Sequence, residues 1–193
     1  EVLFPKQPSL DSSDYYDKSF LTSSIIGFHR IDRSVDEYTY HAQDKPLRLF
    51  VVSTKNREHS YFALEVQDDG ALILTSSVIP NLYDDQKWNI GIRVKDPKYP
   101  FGAQPQSFET FVKPQIDFYA INATNNTIHN EISFSHNFDV ESSQLYLNID
   151  KKLYAGAERE NFTGSTSLFS DIVVTDVKYW STFIPDEEIR QHA

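Results

Sequence analysis

The chain of 193 residues contains no cysteine, no methionine and only 6 glycines. Without cysteine it has no disulfide framework and no thiolate metal site, which is compatible with either a reducing or an oxidising compartment. Without methionine it has no initiator, so we expect a mature product, an excised domain or a fragment, and we favour a fragment. So few glycines leave little room for phosphate-cradling loops.

The sequence also lacks a long apolar run and an excess of positive charge. No apolar stretch approaches the ~18 residues that span a membrane, and no signal peptide is visible, so we expect no membrane insertion. The net charge of −10 opposes binding to phosphate backbones, and nucleic acid is not an expected partner. The acidic surface is read as one that keeps the particle soluble.

Residues that favour strands are abundant. Aromatic residues make up 14% of the chain, with 14 Phe and 11 Tyr, and such residues suit a half-buried sheet surface. Sandwiches and barrels often reach ~200–250 residues as one unit, so this length predicts one all-β domain. We expect residues 1–19, which are polar and contain Pro5 and Pro8, to form an arm or linker. Residues 20–193 then form the domain.

Turn chemistry separates about ten strand candidates. In residues 88–95, Trp88, Ile90, Ile92 and Val94 share one side, which places Trp88 in the core. The other main candidates are residues 24–31, 47–53, 60–67, 71–76, 115–122 and 145–150. The last two alternate apolar and polar residues, which predicts half-buried antiparallel strands.

Two stretches predict connections. Asp68-Asp69-Gly70 is a tight hairpin signal, because Asp tolerates and Gly favours positive φ. Residues 96–106 hold three prolines and one glycine, which predicts a long surface loop. Loops of this kind are either plain connections or binding elements, and both readings stay open.

The last 33 residues join three readable pieces. Phe162 and Gly164 predict a turn, and residues 171–180 are rich in β-branched and aromatic residues, which predicts a strand. Pro185 opens a short helix, and the acidic residues after it suit the positive end of the helix dipole. A helix this short needs tertiary packing, and the side chains expected to anchor it are Trp180, Phe183 and Ile184.

This closing segment resembles that of laminin G-like and pentraxin-like domains. Residues 87–95, LYLNIDKKLYAGAE at 145–158, NFTG and DVKYW extend the resemblance to roughly half of the chain. It implies an all-β fold, a two-sheet antiparallel jelly-roll sandwich of the concanavalin A-like type with a short C-terminal helix. The segments KWN, KYP, LYAGA and NFTG, in this order, are similar to jelly-roll domains of virion structural proteins of tailed bacteriophages.

Catalysis has no support in the sequence. Glucanases that share the implied fold carry a Glu-x-Asp-x-x-Glu run that places two carboxylates ~5 Å apart, and no such run exists here. The nearest acidic groupings, Asp139 with Glu141 and residues 186–188, suit capping or solvation. A Gly-x-Ser-x-Gly nucleophile elbow is also missing. We expect no enzyme and no catalytic residue.

Metal binding has weak support. The 6 histidines show no His-x-His or His-Glu-x-x-His spacing, so zinc is not expected. Calcium needs several oxygen ligands, and Asp68, Asp69, Asp84 and Asp85 are candidates, although neither pair lies in a recognisable calcium loop. We expect no cofactor, with calcium as an open alternative.

Sugar recognition needs an exposed aromatic ring with amides or carboxylates beside it. Two groups on expected rim loops have this composition: Tyr83, Asp84 and Asp85, and Tyr99, Gln104 and Gln106. These six residues are the candidate contacts for a glycan or a protein partner. Sequons at Asn122, Asn125 and Asn161 matter only in a protein secreted by a eukaryote.

The sequence therefore favours a non-enzymatic structural or interaction module that docks onto protein subunits of a larger assembly. A virion structural protein domain is the expected setting, and the expected location is a virion or the extracellular space. The first alternative is a lectin-like module that recognises surface glycans. The second is a glycosidase that lacks the usual motif.

Overall fold

The computed structural model describes residues 1–6, 20–30, 46–54, 57–67, 71–95, 115–125, 127–138, 150–160 and 164–191. Strands dominate this part of the chain, and one short helix follows them. The strands are β1 (Val2–Phe4), β2 (Phe20–Arg30), β3 (Leu47–Thr54), β4 (His59–Gln67), β5 (Ala71–Thr75), β6 (Ile79–Pro80), β7 (Gln86–Lys95), β8 (Gln115–Thr124), β9 (Thr127–Asn137), β10 (Lys151–Ala155), β11 (Glu158–Arg159), β12 (Thr166–Leu168) and β13 (Val173–Val174). The helix is α1 (Asp186–Gln191).

The strands of the described residues form two main antiparallel sheets. The first sheet has the order β13-β1-β7-β8-β9. The second has the order β10-β2-β3-β4-β5, and β6 also pairs with β4. A small hairpin, β11 with β12, follows β10 in the chain. The long strands alternate apolar and polar side chains, so each sheet presents one apolar face to the other.

Aromatic rings join the two sheets. Phe62 of the second sheet lies with its ring centroid 5.4 Å from that of Trp88 and 5.4 Å from that of Phe118, both in the first sheet. Phe4 of β1 completes the group, with its centroid 6.1 Å from that of Phe62. All four side chains are fully buried. The protein is therefore an all-β two-sheet antiparallel sandwich with a short C-terminal helix, as the sequence predicts.

The predicted strands agree closely with the observed ones. The strands expected at residues 24–31, 47–53, 60–67, 71–76, 88–95 and 115–122 correspond to β2, β3, β4, β5, β7 and β8. Trp88 lies in the core, and Ile90, Ile92 and Val94 pack against it from the same side of β7. The predictions for residues 68–70, 96–106 and 145–149 and for Phe162 lie outside the described residues.

The start of the chain corrects one prediction. Residues 1–19 were expected to form an arm outside the compact fold, but β1 lies between β13 and β7 in the first sheet. Val2 and Phe4 point into the core and are 4% and 0% exposed. The sequence did not reveal this strand, because three residues are too few to show an alternating pattern and the residues that follow at 9–19 are polar.

The predicted strand at residues 171–180 is also wrong in extent. Only Val173 and Val174 form a strand, and every residue from Thr175 to Thr182 is exposed. The β-branched and aromatic residues that predicted this strand favour one only where a face of the segment is buried, and residues 175–180 are exposed on both faces. Trp180 is 47% exposed, so it does not anchor α1 as expected.

Strand β8 is buried on both faces, whereas a half-buried strand was expected. Ile116 and Phe118 face the core, while Tyr119 on the opposite face is also fully buried. The segment around α1 covers this outer face: Arg93 of β7 donates to the carbonyl of Ile184 at 2.9 Å and pairs with Asp186 at 2.5 Å. Ile184 itself is buried, which confirms its predicted role.

Two glycines make room for side chains that cross the outer faces of the sheets. A Cβ on Gly27 would lie 2.4 Å from the hydroxyl of Tyr154 and 2.6 Å from the backbone oxygen of Leu47. A Cβ on Gly91 would lie 2.8 Å from Cδ1 of Ile189. The backbone oxygen cannot move away, whereas the end of an isoleucine side chain can.

Gly27→Ala is therefore expected to cost more stability than Gly91→Ala. We expect Gly27→Ala to lower the free energy of unfolding by about 1–3 kcal/mol, the usual cost of forcing extra atoms into a packed site. Gly91→Ala, the matched control, should cost clearly less, since only Cδ1 of Ile189 must shift. Chemical denaturation of both variants measures the difference. Equal losses would contradict the argument.

Candidate functional site

Tyr83 was predicted to be an exposed contact on a rim loop, and the structure corrects this. Its side chain is buried, with 7% of its surface exposed, and its ring packs edge-on against Phe4 at 5.4 Å. The hydroxyl donates to Oδ1 of Asp171 at 2.9 Å. Tyr83 is therefore a core residue whose polar end is already bonded, and it cannot stack on a sugar.

Asp171, which is only partly buried, is the centre of a polar cluster that holds Tyr83 in place. The hydroxyl of Ser23 donates to Oδ1 at 2.6 Å, and the guanidinium of Arg57 binds Oδ2. Arg57 also lies over the ring of Tyr83, with its guanidinium carbon 4.3 Å from the ring centroid. Arg57 adopts a positive φ of 59°. The cluster ties β2, the β3–β4 connection and the segment after β12 together.

Asp84 and Asp85 are exposed, as expected, but both bind Lys6. The ammonium of Lys6 lies 2.7 Å from Oδ1 of Asp84, and the backbone N–H of Lys6 donates to Oδ1 of Asp85 at 2.8 Å. These contacts hold the chain that leaves β1. They give the two carboxylates a structural role without calcium or sugar.

The remaining predicted contacts, Tyr99, Gln104 and Gln106, lie outside the described residues. The calcium candidates Asp68 and Asp69 do so as well. The structure therefore brings Tyr83, Asp84 and Asp85 close to the start of the chain, and it leaves the second predicted group untested.

A second buried polar cluster was not predicted. Glu158 of β11 is fully buried on the outer side of the second sheet. Its carboxylate lies 3.3 Å from Nε2 of His29 and 3.5 Å from a guanidinium nitrogen of Arg48, which also binds Glu65. The ring of Tyr154 packs edge-on against His29 at 5.3 Å. The one feature of the sequence that bears on this cluster is Gly27, whose missing side chain leaves room for Tyr154.

A third cluster fixes α1 to the first sheet. The hydroxyl of Tyr119 donates to Glu131 at 3.0 Å, and Arg190 of α1 binds both the Tyr119 hydroxyl and Glu131. Burial, followed by the hydrogen bond to Glu131, raises the pKa of Tyr119 to about 12. Burial also raises the pKa of Tyr83, beside Asp171, and of Tyr154, beside Glu158.

These tyrosines predict a loss of stability at alkaline pH. Above pH ~10 the unfolded chain releases phenol protons that the folded chain still holds, so the free energy of unfolding falls as the pH rises. For Tyr119 the window runs from pH ~10 to its folded pKa of about 12. Tyr119→Phe should flatten this fall, measured by denaturation at several pH values. Tyr179→Phe, at a side chain that is 72% exposed, is the control and should leave the slope unchanged.

Large apolar side chains are exposed after β12, and this is the surface we regard as the candidate functional site. Within residues 173–180, Val173, Val177, Tyr179 and Trp180 are 47%, 53%, 72% and 47% exposed. We call these four side chains the apolar segment. Phe169, just before it, is 71% exposed. Exposed apolar side chains that lie together mark interaction surfaces more often than isolated ones do.

A depression of about 350 Å³ adjoins the apolar segment. Tyr179 lines it together with Asp150, Lys151 and Leu153. Lys151 also lies 5.4 Å from the ring centroid of Phe28, and burial lowers the pKa of its ammonium. The depression thus combines an exposed aromatic ring with a carboxylate and an ammonium group.

In the described ranges, no cluster of three or more His, Asp or Glu side chains is arranged to hold a metal ion. No helix in the same part of the chain is long and apolar enough to cross a membrane.

Comparisons of the chain with protein-family models, curated proteins and solved structures found no significant match.

Proposed function

We propose that this protein is a non-enzymatic interaction module that docks onto protein subunits of a larger assembly through the apolar segment. The observation that carries the proposal is the exposure of Tyr179 and Trp180, at 72% and 47%, beside Val177. Tyrosine and tryptophan are enriched in protein interfaces, where their large rings bury much surface at little entropic cost.

The position of the apolar segment also supports docking of a protein. In the described part of the chain, β13 is the edge strand of the first sheet. The backbone groups of Thr175 and Asp176 still bond to Glu1, and residues 177–182 continue beyond them outside any strand. A terminal strand offers backbone N–H and C=O groups to another chain. Asp176 and Lys178, which lie between these residues in the chain, pair with each other at 3.0 Å and leave the apolar side chains uncovered.

The polar clusters argue against a catalytic centre in the described residues. The carboxylates of Asp171, Glu158 and Glu131 each bind arginine within the fold. A general acid or nucleophile must reach a substrate, and Glu158 is fully buried.

The setting of a virion structural protein, and a location in a virion or outside the cell, rest on the resemblance of the sequence motifs.

Hydroxyl-radical footprinting of the intact gene product tests the proposal. Oxidation of Tyr179 and Trp180 should be much slower in the native assembly than in the isolated chain. Ile73 and Ile128, which are 54% and 48% exposed on other strands, are the internal controls. Equal oxidation of the apolar segment in both states would reject docking through it.

A variant gives an independent test. Tyr179→Ser combined with Trp180→Ser should reduce incorporation of the gene product into the assembly, while Ile73→Ser should not. Circular dichroism verifies that both variants fold. Normal incorporation of the double variant would contradict the proposal.

A lectin-like module is the second candidate, and the depression beside Tyr179 favours it. The ring of Tyr179 offers a stacking face, and Asp150 and Lys151 offer an acceptor and a donor for hydroxyl groups. Its volume of about 350 Å³ is at the small end of ligand sites. A glycan array, read with and without calcium, should show saturable binding that Tyr179→Ala abolishes. No binding in either condition would reject this candidate.

A further inference from the structure

We infer that Arg93 of β7 is the positioning residue of the apolar segment. Its guanidinium fixes the point at which this segment returns to the sandwich, and thereby sets where Tyr179 and Trp180 stand for a partner. The inference rests on the proposed function and deepens it, because it names a residue outside the segment that regulates docking through it.

One end of the apolar segment is held by the first sheet. Strand β13 pairs with β1, and beyond it the backbone N–H of Thr175 donates to the carbonyl oxygen of Glu1 at 3.0 Å. Residues 177–182 then follow, every one of them exposed and none in a strand or helix. A stretch of this kind has few internal constraints, so its position depends on how its two ends are held.

Arg93 holds the other end of the segment. Its guanidinium donates to the carbonyl oxygen of Ile184 at 2.9 Å and pairs with the carboxylate of Asp186 at 2.5 Å. Its guanidinium carbon lies 5.0 Å from the ring centroid of Phe183, within the range of a cation–π contact, and Lys95 places a second cation 5.6 Å from the same ring. These contacts begin directly after the exposed stretch, so they mark where the chain rejoins the first sheet.

The surroundings of Arg93 make this attachment a rigid one. Its side chain is only 11% exposed, and its guanidinium carbon also lies 5.6 Å from the ring centroid of Tyr119. Salt screens such a partly buried charge less than it screens a surface charge. The guanidinium is planar and presents its N–H donors in fixed directions. Its bonds to Ile184 and Asp186 therefore fix the orientation of the chain as well as its position.

Arg190 attaches a different part of α1. It lies in the last turn of the helix, where it binds the hydroxyl of Tyr119 at 3.0 Å and the carboxylate of Glu131. A helix of 6 residues depends on such contacts, so both arginines stabilise its docked form. Arg93 contacts the residues next to the apolar segment, whereas Arg190 holds the far end of the helix. Arg190 is therefore the matched control for a role in positioning.

A segment that is loosely held binds its partner less tightly, because its side chains must be ordered on docking. Each large side chain that is immobilised only at that moment lowers the affinity by roughly 2- to 10-fold. Val177, Tyr179 and Trp180 are the side chains concerned. Loss of Arg93 should therefore lower the affinity for the assembly by about 10-fold.

The absence of cysteine allows the mobility of the segment to be measured directly. A nitroxide spin label is attached through Ser181→Cys, next to Trp180, and its electron paramagnetic resonance spectrum is recorded in the isolated chain. Addition of Arg93→Ala should narrow the lines, since the label then moves faster, whereas Arg190→Ala should leave the line width nearly unchanged. Arg93→Lys keeps a charge for Asp186 but loses the planar fork, so it should give an intermediate width.

Incorporation of the gene product into the native assembly is measured for the same substitutions without the label. Arg93→Ala should lower it by about 10-fold, Arg93→Lys should restore part of the loss, and Arg190→Ala should change it by less than ~2-fold. Urea denaturation of each variant measures the loss of stability separately. Arg93→Lys carries the test if Arg93→Ala does not fold.

Equal line widths for the Arg93→Ala and Arg190→Ala variants would overturn the inference, as would normal incorporation of Arg93→Ala. The spectrum is recorded without a partner, so it tests the positioning role even if the segment does not dock. Absence of protection of Tyr179 and Trp180 in the footprint would instead reject the proposed function. The two failures are therefore distinguishable.

Discussion

Replacing Phe62 with alanine is expected to lower the free energy of unfolding by about 3–5 kcal/mol, the usual cost of deleting a buried phenylalanine ring. Phe62 is fully buried and is the ring at which the two sheets meet, since it contacts Phe4, Trp88 and Phe118. Its loss leaves a cavity between the sheets that rigid β-strands cannot fill. Urea denaturation followed by tryptophan fluorescence measures the change, because Trp88 adjoins the site.

Phe169→Ala is the matched control for Phe62→Ala. Phe169 is 71% exposed, so the same substitution should change the free energy of unfolding by only ~0.5 kcal/mol or less. The backbone oxygen of Phe169, which accepts a hydrogen bond from Ser24 at 2.8 Å, remains in place. A small effect at Phe62 together with a large one at Phe169 would contradict the sandwich described above.

Removing the carboxylate of Glu158 is expected to have the second large effect. Glu158→Ala leaves the guanidinium of Arg48 and the ring of His29 without their shared buried carboxylate. Breaking a buried charge pair by deleting one partner typically costs ~3–5 kcal/mol. Because Arg48 keeps its contact with Glu65, we expect about 3 kcal/mol, measured by denaturation at neutral pH.

Glu160→Ala is the control, since Glu160 lies two residues further along the chain with an exposed side chain. It should be close to neutral. Glu158→Gln separates charge from shape, because the amide keeps the volume and one acceptor oxygen. If Glu158→Ala were as stable as the wild type, the buried cluster would not hold the β11–β12 hairpin against the second sheet.

The sequence predicted the long strands well because their alternation reports a real difference between two environments. In β7, Trp88 and Ile90 face the core and Arg93 faces the other side, where α1 covers it. A different signal misled at residues 171–180, where β-branched and aromatic content predicted a strand. The part of this segment that carries Val177 and Tyr179 has that composition, and only the structure shows that both of its sides are exposed.

The candidate site was harder to predict, because the exposure of a side chain depends on contacts that are distant in sequence. Tyr83 and Tyr179 are both tyrosines near acidic residues, and local sequence favours Tyr83 as the exposed one. The deciding contacts are distant in sequence: Asp171 binds the hydroxyl of Tyr83, and Phe4 packs on its ring. No local pattern contains either partner, so their effect on exposure could not be read from the residues around Tyr83.

The close approach of Tyr154 to Gly27 has a consequence for the evolution of this chain. A homologue with a larger residue at position 27 has no space for a tyrosine that crosses β2, since a Cβ there would lie 2.4 Å from the Tyr154 hydroxyl. We therefore expect the two positions to covary among relatives, with glycine retained wherever the tyrosine is. Position 91 should tolerate alanine more often, since its neighbour is the flexible end of Ile189.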